Sequence, residues 1–146
     1  MRVEWIPALG GSKSAPAGYS AAQGGNVKRI LFVDDEQNVL TAIGLELRKE
    51  RARWTIVFAV GASAAIDALQ GEPFDVVVSD LRMAGMDGVT FLTRVRAMWP
   101  NAARVVLSGS AWKSSLDGAG LLAHEVLSKP CSTPALVACL ERHLAK

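Results

Sequence analysis

Five polar residues stand directly after short apolar runs, and together they carry the groups of one recognisable chemistry. Asp34 and Asp35 follow the run 30–33, Asp80 follows 74–79, Ser108 follows 104–107, and Lys129 closes the stretch that begins at 126–127. Three carboxylates brought to one place repel one another, and without compensation at least one is driven to protonate. A hard divalent cation relieves this. Mg²⁺ suits such a site because it accepts a few carboxylates and keeps several waters, which leaves room for a phosphoryl oxygen. The Lys129 ammonium can pair with Asp80 and then with a phosphoryl group attached to it, while the Ser108 hydroxyl donates to a phosphoryl oxygen. A carboxylate nucleophile, a metal and donors for the equatorial oxygens are what phosphoryl transfer to an aspartate requires.

The elements that must position these residues can be read from the apolar pattern. The runs 30–33, 55–60, 74–79, 104–107 and 126–127 are nearly continuous in apolar character and rich in β-branched residues, as expected of parallel strands covered on both faces. Between them lie helical stripes: Val39, Leu40, Ile43 and Leu47 in the first, residues 63–70 in the second, and Leu92, Val95 and Trp99 in the third. A fourth helix is expected within 114–122, weakened by Gly118 and Gly120, and a last one begins at Thr133 as N-cap with Pro134 in its first turn. Five strands alternating with five helices give a (βα)₅ chain, an α/β three-layer sandwich with a parallel sheet. The leading order is 2-1-3-4-5, the flavodoxin-like arrangement, in which the first and third strands are neighbours where the winding reverses. Ligands bind beyond the strand C-termini at that point, and all five chemical residues converge there.

With 146 residues, half of them apolar, the chain can bury one substantial core. Its formal charge of +2 is spread along the sequence, so no basic stripe marks a nucleic-acid surface and direct nucleic-acid binding is not expected. No run is long enough to span a membrane, and no basic segment with an apolar core marks a secretory signal, so a cytoplasmic location is expected. Residues 1–27 are rich in Gly, Ala and Ser and are expected to form a disordered N-terminal extension, leaving 28–146 as the domain. Gly10-Gly11-Ser12-Lys13-Ser14 does not make a phosphate loop, because its glycine spacing is displaced and no strand run precedes it.

The segments that carry the chemical residues resemble the response-regulator receiver family. They are Ile30-Leu31-Phe32-Val33-Asp34-Asp35-Glu36, the stretch from Val77 through Asp80 and Met83 to Gly88, Leu107-Ser108-Gly109 and Leu127-Ser128-Lys129-Pro130. The resemblance covers about residues 28–146, with intervals of 45, 28 and 21 residues from Asp35 to Asp80, on to Ser108 and on to Lys129. It implies a phosphorylation-dependent module of a two-component phosphorelay, regulatory rather than an enzyme. Asp80 would accept a phosphoryl group from a histidine kinase or histidine phosphotransfer protein. Asp35 and Asp80 would coordinate Mg²⁺ directly, Asp34 through water, and the Arg82 backbone carbonyl would complete the set. Lys129 would contact the phosphoryl group, Ser108 would move toward it as the switch, and Pro130 would follow a cis peptide bond. Output would pass to a protein partner or to a C-terminal domain absent from this sequence.

Two positions depart from the family pattern. Ala84 replaces the usual proline after the methionine of the loop beyond Asp80, and Val126 replaces the aromatic residue three positions before the lysine. Without that rotor the route of output is open. Two other readings remain: a small phosphatase or phosphotransferase with Asp80 as covalent nucleophile, opposed by Arg82 where a general acid is needed, and a degenerate receiver serving as a scaffold. Asp87 before Gly88 reads as a helix N-terminal residue. His124 and His143 have no acidic or thiol partner at ligand spacing along the chain and are expected at the surface. Cys131 and Cys139, taken as one helix, would lie about 12 Å apart and serve as small hydrophobes. Trp54 and Trp99 are expected to be covered, and Trp112 is a candidate contact residue.

Overall fold

The computed structural model describes residues 2–6, 27–48, 54–80, 82–83, 86–109 and 122–145. In chain order the strands are β1 (Arg2–Ile6), β2 (Lys28–Asp34), β3 (Trp54–Val60), β4 (Val76–Ser79), β5 (Arg82–Met83), β6 (Met86–Asp87), β7 (Ala103–Ser108) and β8 (Glu125–Ser128). The helices are α1 (Gln37–Leu47), α2 (Gly61–Leu69), α3 (Gly88–Met98) and α4 (Thr133–Leu144). Six strands form one sheet in the order β1-β3-β2-β4-β7-β8, every pair parallel, and β5 and β6 form a small antiparallel hairpin. Leaving out β1, the order is the expected 2-1-3-4-5, so the fold is the flavodoxin-like three-layer sandwich.

The unbroken apolar runs have a simple cause. Successive residues of a strand point to opposite faces, and both faces here are covered. Ile30, Phe32, Ile56, Phe58, Val76 and Val78 face one core with Leu40, Leu47, Leu136 and Leu140 of α1 and α4. Leu31, Val33, Val57, Ala59 and Val77 face the other, with Ala65 and Leu69 of α2 and Phe91 and Val95 of α3. Helix α1 lies close to the sheet because Gly44 has no side chain: a Cβ there would meet the Phe58 ring at 3.3 Å. Between β3 and α2 the chain turns at Gly61 with φ +85, a left-handed conformation that glycine adopts without steric cost.

Strand β1 corrects the expectation of disorder for residues 1–27 over its first few positions. Its backbone pairs along β3 from Arg2 opposite Thr55 to Ile6 opposite Ala59, covering what would otherwise be an open sheet edge. The short apolar cluster supplies the packing: Val3 lies against the core shared with α1 and α4, Ile6 against the opposite core, and the Trp5 ring stacks 4.7 Å from Phe58. Residues 7–26 lie outside the described residues, as does the expected fourth helix apart from Leu122, which is buried. The cap of α4 is Ser132, one residue earlier than expected, its hydroxyl accepting from the Ala135 N–H at 3.2 Å. Thr133, freed from capping, donates its hydroxyl to Glu46 of α1.

Candidate functional site

Asp34 is the last residue of β2 and Asp80 the first after β4, and these strands are neighbours in register with Val33 opposite Ser79. The Asp80 N–H donates to the Val33 carbonyl at 3.1 Å, so the pairing runs on past the strand end and fixes where the carboxylate leaves the backbone. On the other side β7 pairs with β8, Ser108 opposite Ser128, and the Lys129 N–H donates to the Ser108 carbonyl at 2.6 Å. Residues far apart in sequence are thereby set along one sheet edge, as the strand order requires.

Lys129 ties this edge together. Its Nζ donates to Asp34 Oδ2 at 3.0 Å and to Asp80 Oδ2 at 3.3 Å. Asp34 is buried, and its second oxygen accepts the Glu36 N–H at 2.9 Å, so both of its oxygens are occupied. Burial of Lys129 works to lower its pKa, but the hydrogen bond and charge of Asp34, reinforced by Asp80, outweigh that and hold it above the usual lysine value. Its ammonium is therefore a permanent charge at neutral pH. Asp80 keeps a 16% exposed side chain, enough for a small reagent to reach it.

Asp35 lies beside the turn at Gly61, where a Cβ would stand 3.8 Å from its Oδ1. Ser108 is buried, with its hydroxyl directed to the Gly109 carbonyl at 3.4 Å. Arg82 and Asp87 lie opposite one another in the β5–β6 hairpin that follows Asp80. Ala84 and Trp112 lie outside the described residues. Val126 is partly buried and packs with Leu92, Val106 and Leu122. The Lys129–Pro130 peptide bond is cis, as expected. Trp54 is covered, and Trp99 is half-buried with its indole N–H on the Leu69 carbonyl at 3.0 Å.

The carboxylate set is chemically suited to Mg²⁺. All of its donors are hard oxygens, and among the described residues Asp34 and Asp80 both meet the Lys129 ammonium. The three aspartates are not drawn into a tight three-donor cluster: among the described residues, only Glu125, Cys139 and His143 bring one donor atom each within 4.8 Å of one another.

That second cluster was not anticipated and corrects the reading of the histidines. His143 Nε2 lies 3.0 Å from Glu125 Oε1, with the His143 side chain only 10% exposed, and Arg142 binds the other Glu125 oxygen. His124 is exposed, its Nδ1 accepting the Arg104 N–H at 2.9 Å. Cys139 is fully buried, as expected of a small hydrophobe, but its sulfur also lies within 4.8 Å of the Glu125 carboxylate. The one available signal was the Cys139/His143 spacing, which puts both on one helix face. The acidic partner lies 18 residues before His143, on a different element.

A parallel sheet in this order, with aspartates and a lysine meeting at its C-terminal edge, defines a CheY-like receiver fold. A response regulator receiver domain protein (CheY-like) from Methanospirillum hungatei superimposes with a TM-score of 0.73 at 22% identity, over 82% of this chain and 94% of that one. The chain belongs to the response regulator receiver domain family, whose description matches residues 30–141. Among curated relatives, the hydrogenase transcriptional regulatory protein HoxA of Bradyrhizobium diazoefficiens is 32% identical over 74% of this chain and 22% of its own length. The transcriptional regulatory protein YvrH of Bacillus subtilis is 30% identical over 80% of this chain and 49% of its own length. The matched part thus spans half or less of those relatives. Receiver domains are regulatory modules of two-component systems. No helix among the described residues is long and apolar enough to cross a membrane.

Proposed function

We propose that this chain is a phosphorylation-controlled switch in which Asp80 accepts a phosphoryl group from a histidine kinase or histidine phosphotransfer protein. The observation that carries the reading is the Lys129 ammonium held between Asp34 and Asp80 at 3.0 and 3.3 Å. A partly exposed carboxylate is thereby presented beside a fixed cation, at the strand edge where ligands of this fold bind. Asp35 and Asp80 would hold Mg²⁺ directly and Asp34 through water, with the Arg82 backbone carbonyl as a further ligand. The metal, when bound, neutralises charge on the transferring phosphoryl oxygens. Lys129 exchanges part of its hold on Asp80 for the new phosphoryl oxygens, and the Ser108 hydroxyl turns from the Gly109 carbonyl toward the same group.

Output goes to a protein partner or to an output domain outside this chain, in the cytoplasm. Val126 is stiff at χ1 and packed against Leu92 and Val106, so it cannot swing as an aromatic residue would. The response therefore leaves through the segment after Ser108, beginning at Gly109, around which a Cβ would meet nothing within 4 Å. The test is incubation with acetyl phosphate and Mg²⁺ followed by mapping of the adduct. One phosphoryl group on Asp80 is expected. An adduct that survives Asp80→Asn, or that forms equally well in excess chelator, overturns the proposal.

A further inference from the structure

At the other end of β8 from Lys129, about 13 Å away along the strand, lies the cluster of Glu125, Cys139 and His143. We propose that these three residues bind a zinc-class divalent ion, through Glu125 Oε1, the Cys139 sulfur and His143 Nε2.

The geometry is close to what such an ion demands. Cys139 and His143 are one helical turn apart on α4, and Glu125 opens the strand against which that helix packs. The three donor atoms lie within 4.8 Å of one another. Zinc bonds of about 2.0–2.3 Å in a tetrahedron place ligand atoms roughly 3.3–3.8 Å apart, so each needs to move by about 1 Å or less. One oxygen, one nitrogen and one sulfur form a mixed set that favours Zn²⁺ or Co²⁺ and disfavours Mg²⁺ and Ca²⁺. The two anions, Glu125 carboxylate and Cys139 thiolate, balance the charge of the ion.

The proton and ligand exchange also balances. Before binding, the neutral His143 ring meets Glu125 Oε1 through Nε2, the Cys139 thiol lies beside the same carboxylate, and Arg142 holds Oε2. On binding, the sulfur–hydrogen bond is replaced by a sulfur–metal bond and the proton passes to solvent. The neutral His143 ring, which donates from Nε2 before binding, carries its one hydrogen on Nδ1 afterwards, by exchange with solvent, and gives the Nε2 lone pair to the metal, so that the thiol proton is the only net proton released. Glu125 Oε1 exchanges its His143 contact for the metal, while Oε2 retains Arg142, which continues to orient the carboxylate. His143 also lines a cleft with Lys28, Asp75, Asn101 and His124, so its ring borders solvent, and a water from that side would fill the fourth position of the proposed site. A cluster that served only to pin α4 to β8 would need Arg142 and His143 but no thiol.

The test is titration of the metal-free full chain with Co²⁺ in Mg²⁺-free buffer. Expected are one equivalent bound, a thiolate-to-cobalt charge-transfer band, tetrahedral visible bands, one proton released per ion, and displacement of the colour by Zn²⁺. Cys139→Ser should abolish the charge-transfer band, and His143→Gln and Glu125→Gln should each weaken binding about 10-fold or more. Cys131→Ser should leave the spectrum intact. Because Cys139 is buried, circular dichroism checks the fold of its variant, and the more peripheral His143→Gln decides the matter if Cys139→Ser does not fold. No charge-transfer band in the native chain, or a band that persists in His143→Gln at native affinity, overturns the proposal.

Discussion

The two ends of β8 carry ionic clusters of opposite balance. At the C-terminal end two carboxylates, Asp34 and Asp80, share the single ammonium of Lys129, with Asp35 next in sequence. At the N-terminal end one carboxylate, Glu125, receives Arg142, His143 and the Cys139 thiol. The first, among the described residues, brings oxygen acceptors round one ammonium. The second has donors to spare and mixes oxygen, nitrogen and sulfur. Carboxylates at a partly exposed strand edge invite a hard cation and an electrophilic phosphoryl group. Donor excess around a mostly buried carboxylate locks the helix to the sheet and, with its softer atoms, selects a different metal. Neighbouring ends of a single strand can thus be given different chemistry by which residues face them.

The largest effect that separates the two ends is loss of the acceptor. Asp80→Asn removes the nucleophile and should abolish labelling by acetyl phosphate, whereas Glu125→Gln, at the opposite end, should leave labelling intact. Equal loss in both variants, measured on folded protein, would mean that the two ends do not act separately.

How much of this contrast was legible from the sequence depends on what kind of regularity each end follows. The C-terminal site arises from residues that directly follow apolar runs, so once the strand order is fixed, Asp34, Asp80 and Lys129 must meet. Ser132 displaced Thr133 as the α4 cap because both are hydroxyl residues and local sequence does not choose between adjacent caps. The Glu125 cluster follows no such rule. Its members are a strand's first residue and two positions on a helix whose rotation about its axis is set by packing. Strand β1 escaped for a similar reason: five residues with Gly- and Ser-rich sequence beyond them carry little local signal, and their pairing partner is an edge more than 45 residues away.

The next effect in size tests the buried thiol at alkaline pH. Burial, then the hydrogen bond and charge of Glu125, push Cys139 from an ordinary 9.0 up to about 12. A group whose folded pKa is raised contributes stability that is complete below the unfolded value and is lost as pH rises through the folded one. Between pH 9 and 12 the native state therefore holds one more proton than the unfolded chain. Unfolding free energy should fall by about 1.4 kcal/mol per pH unit through this group. Cys139→Ala should flatten the slope by that amount while shifting its level. Parallel slopes in denaturant melts from pH 8 to 11 would show that neither burial nor Glu125 raises this thiol.

Lys129→Met probes the C-terminal end. It leaves buried Asp34 facing Asp80 without their shared cation, and an unsatisfied buried acceptor costs about 1–3 kcal/mol. Millimolar Mg²⁺ should recover part of the loss, since a ligand present at ten times its Kd adds about 1.4 kcal/mol. Glu125→Gln should also lower the melting temperature, but Mg²⁺ should not restore it. Rescue of both variants, or of neither, would erase the distinction in cation preference between the two ends.

The smallest effect lies on the acid side of the N-terminal cluster. Burial by itself would raise Glu125, but hydrogen bonds from His143, Cys139 and Arg142, with the charge of Arg142, outweigh it and hold the carboxyl below its ordinary 4.5. With the folded pKa depressed, the contribution is complete above the unfolded value and is lost as pH falls through the folded one. The side chain is 24% exposed and Arg142 58%, so solvent screens the pair and the contribution should stay below about 1 kcal/mol. Salt should divide it further. The exposed Arg142 contact weakens as ionic strength rises, whereas the contact with His143, 10% exposed, is shielded and persists. Stability measured from pH 6 to 3 in chelator should therefore fall more steeply in the native chain than in Glu125→Gln. The difference should shrink but not vanish in high salt. Complete loss of the difference in salt would assign the clasp to Arg142 alone and remove His143 from it.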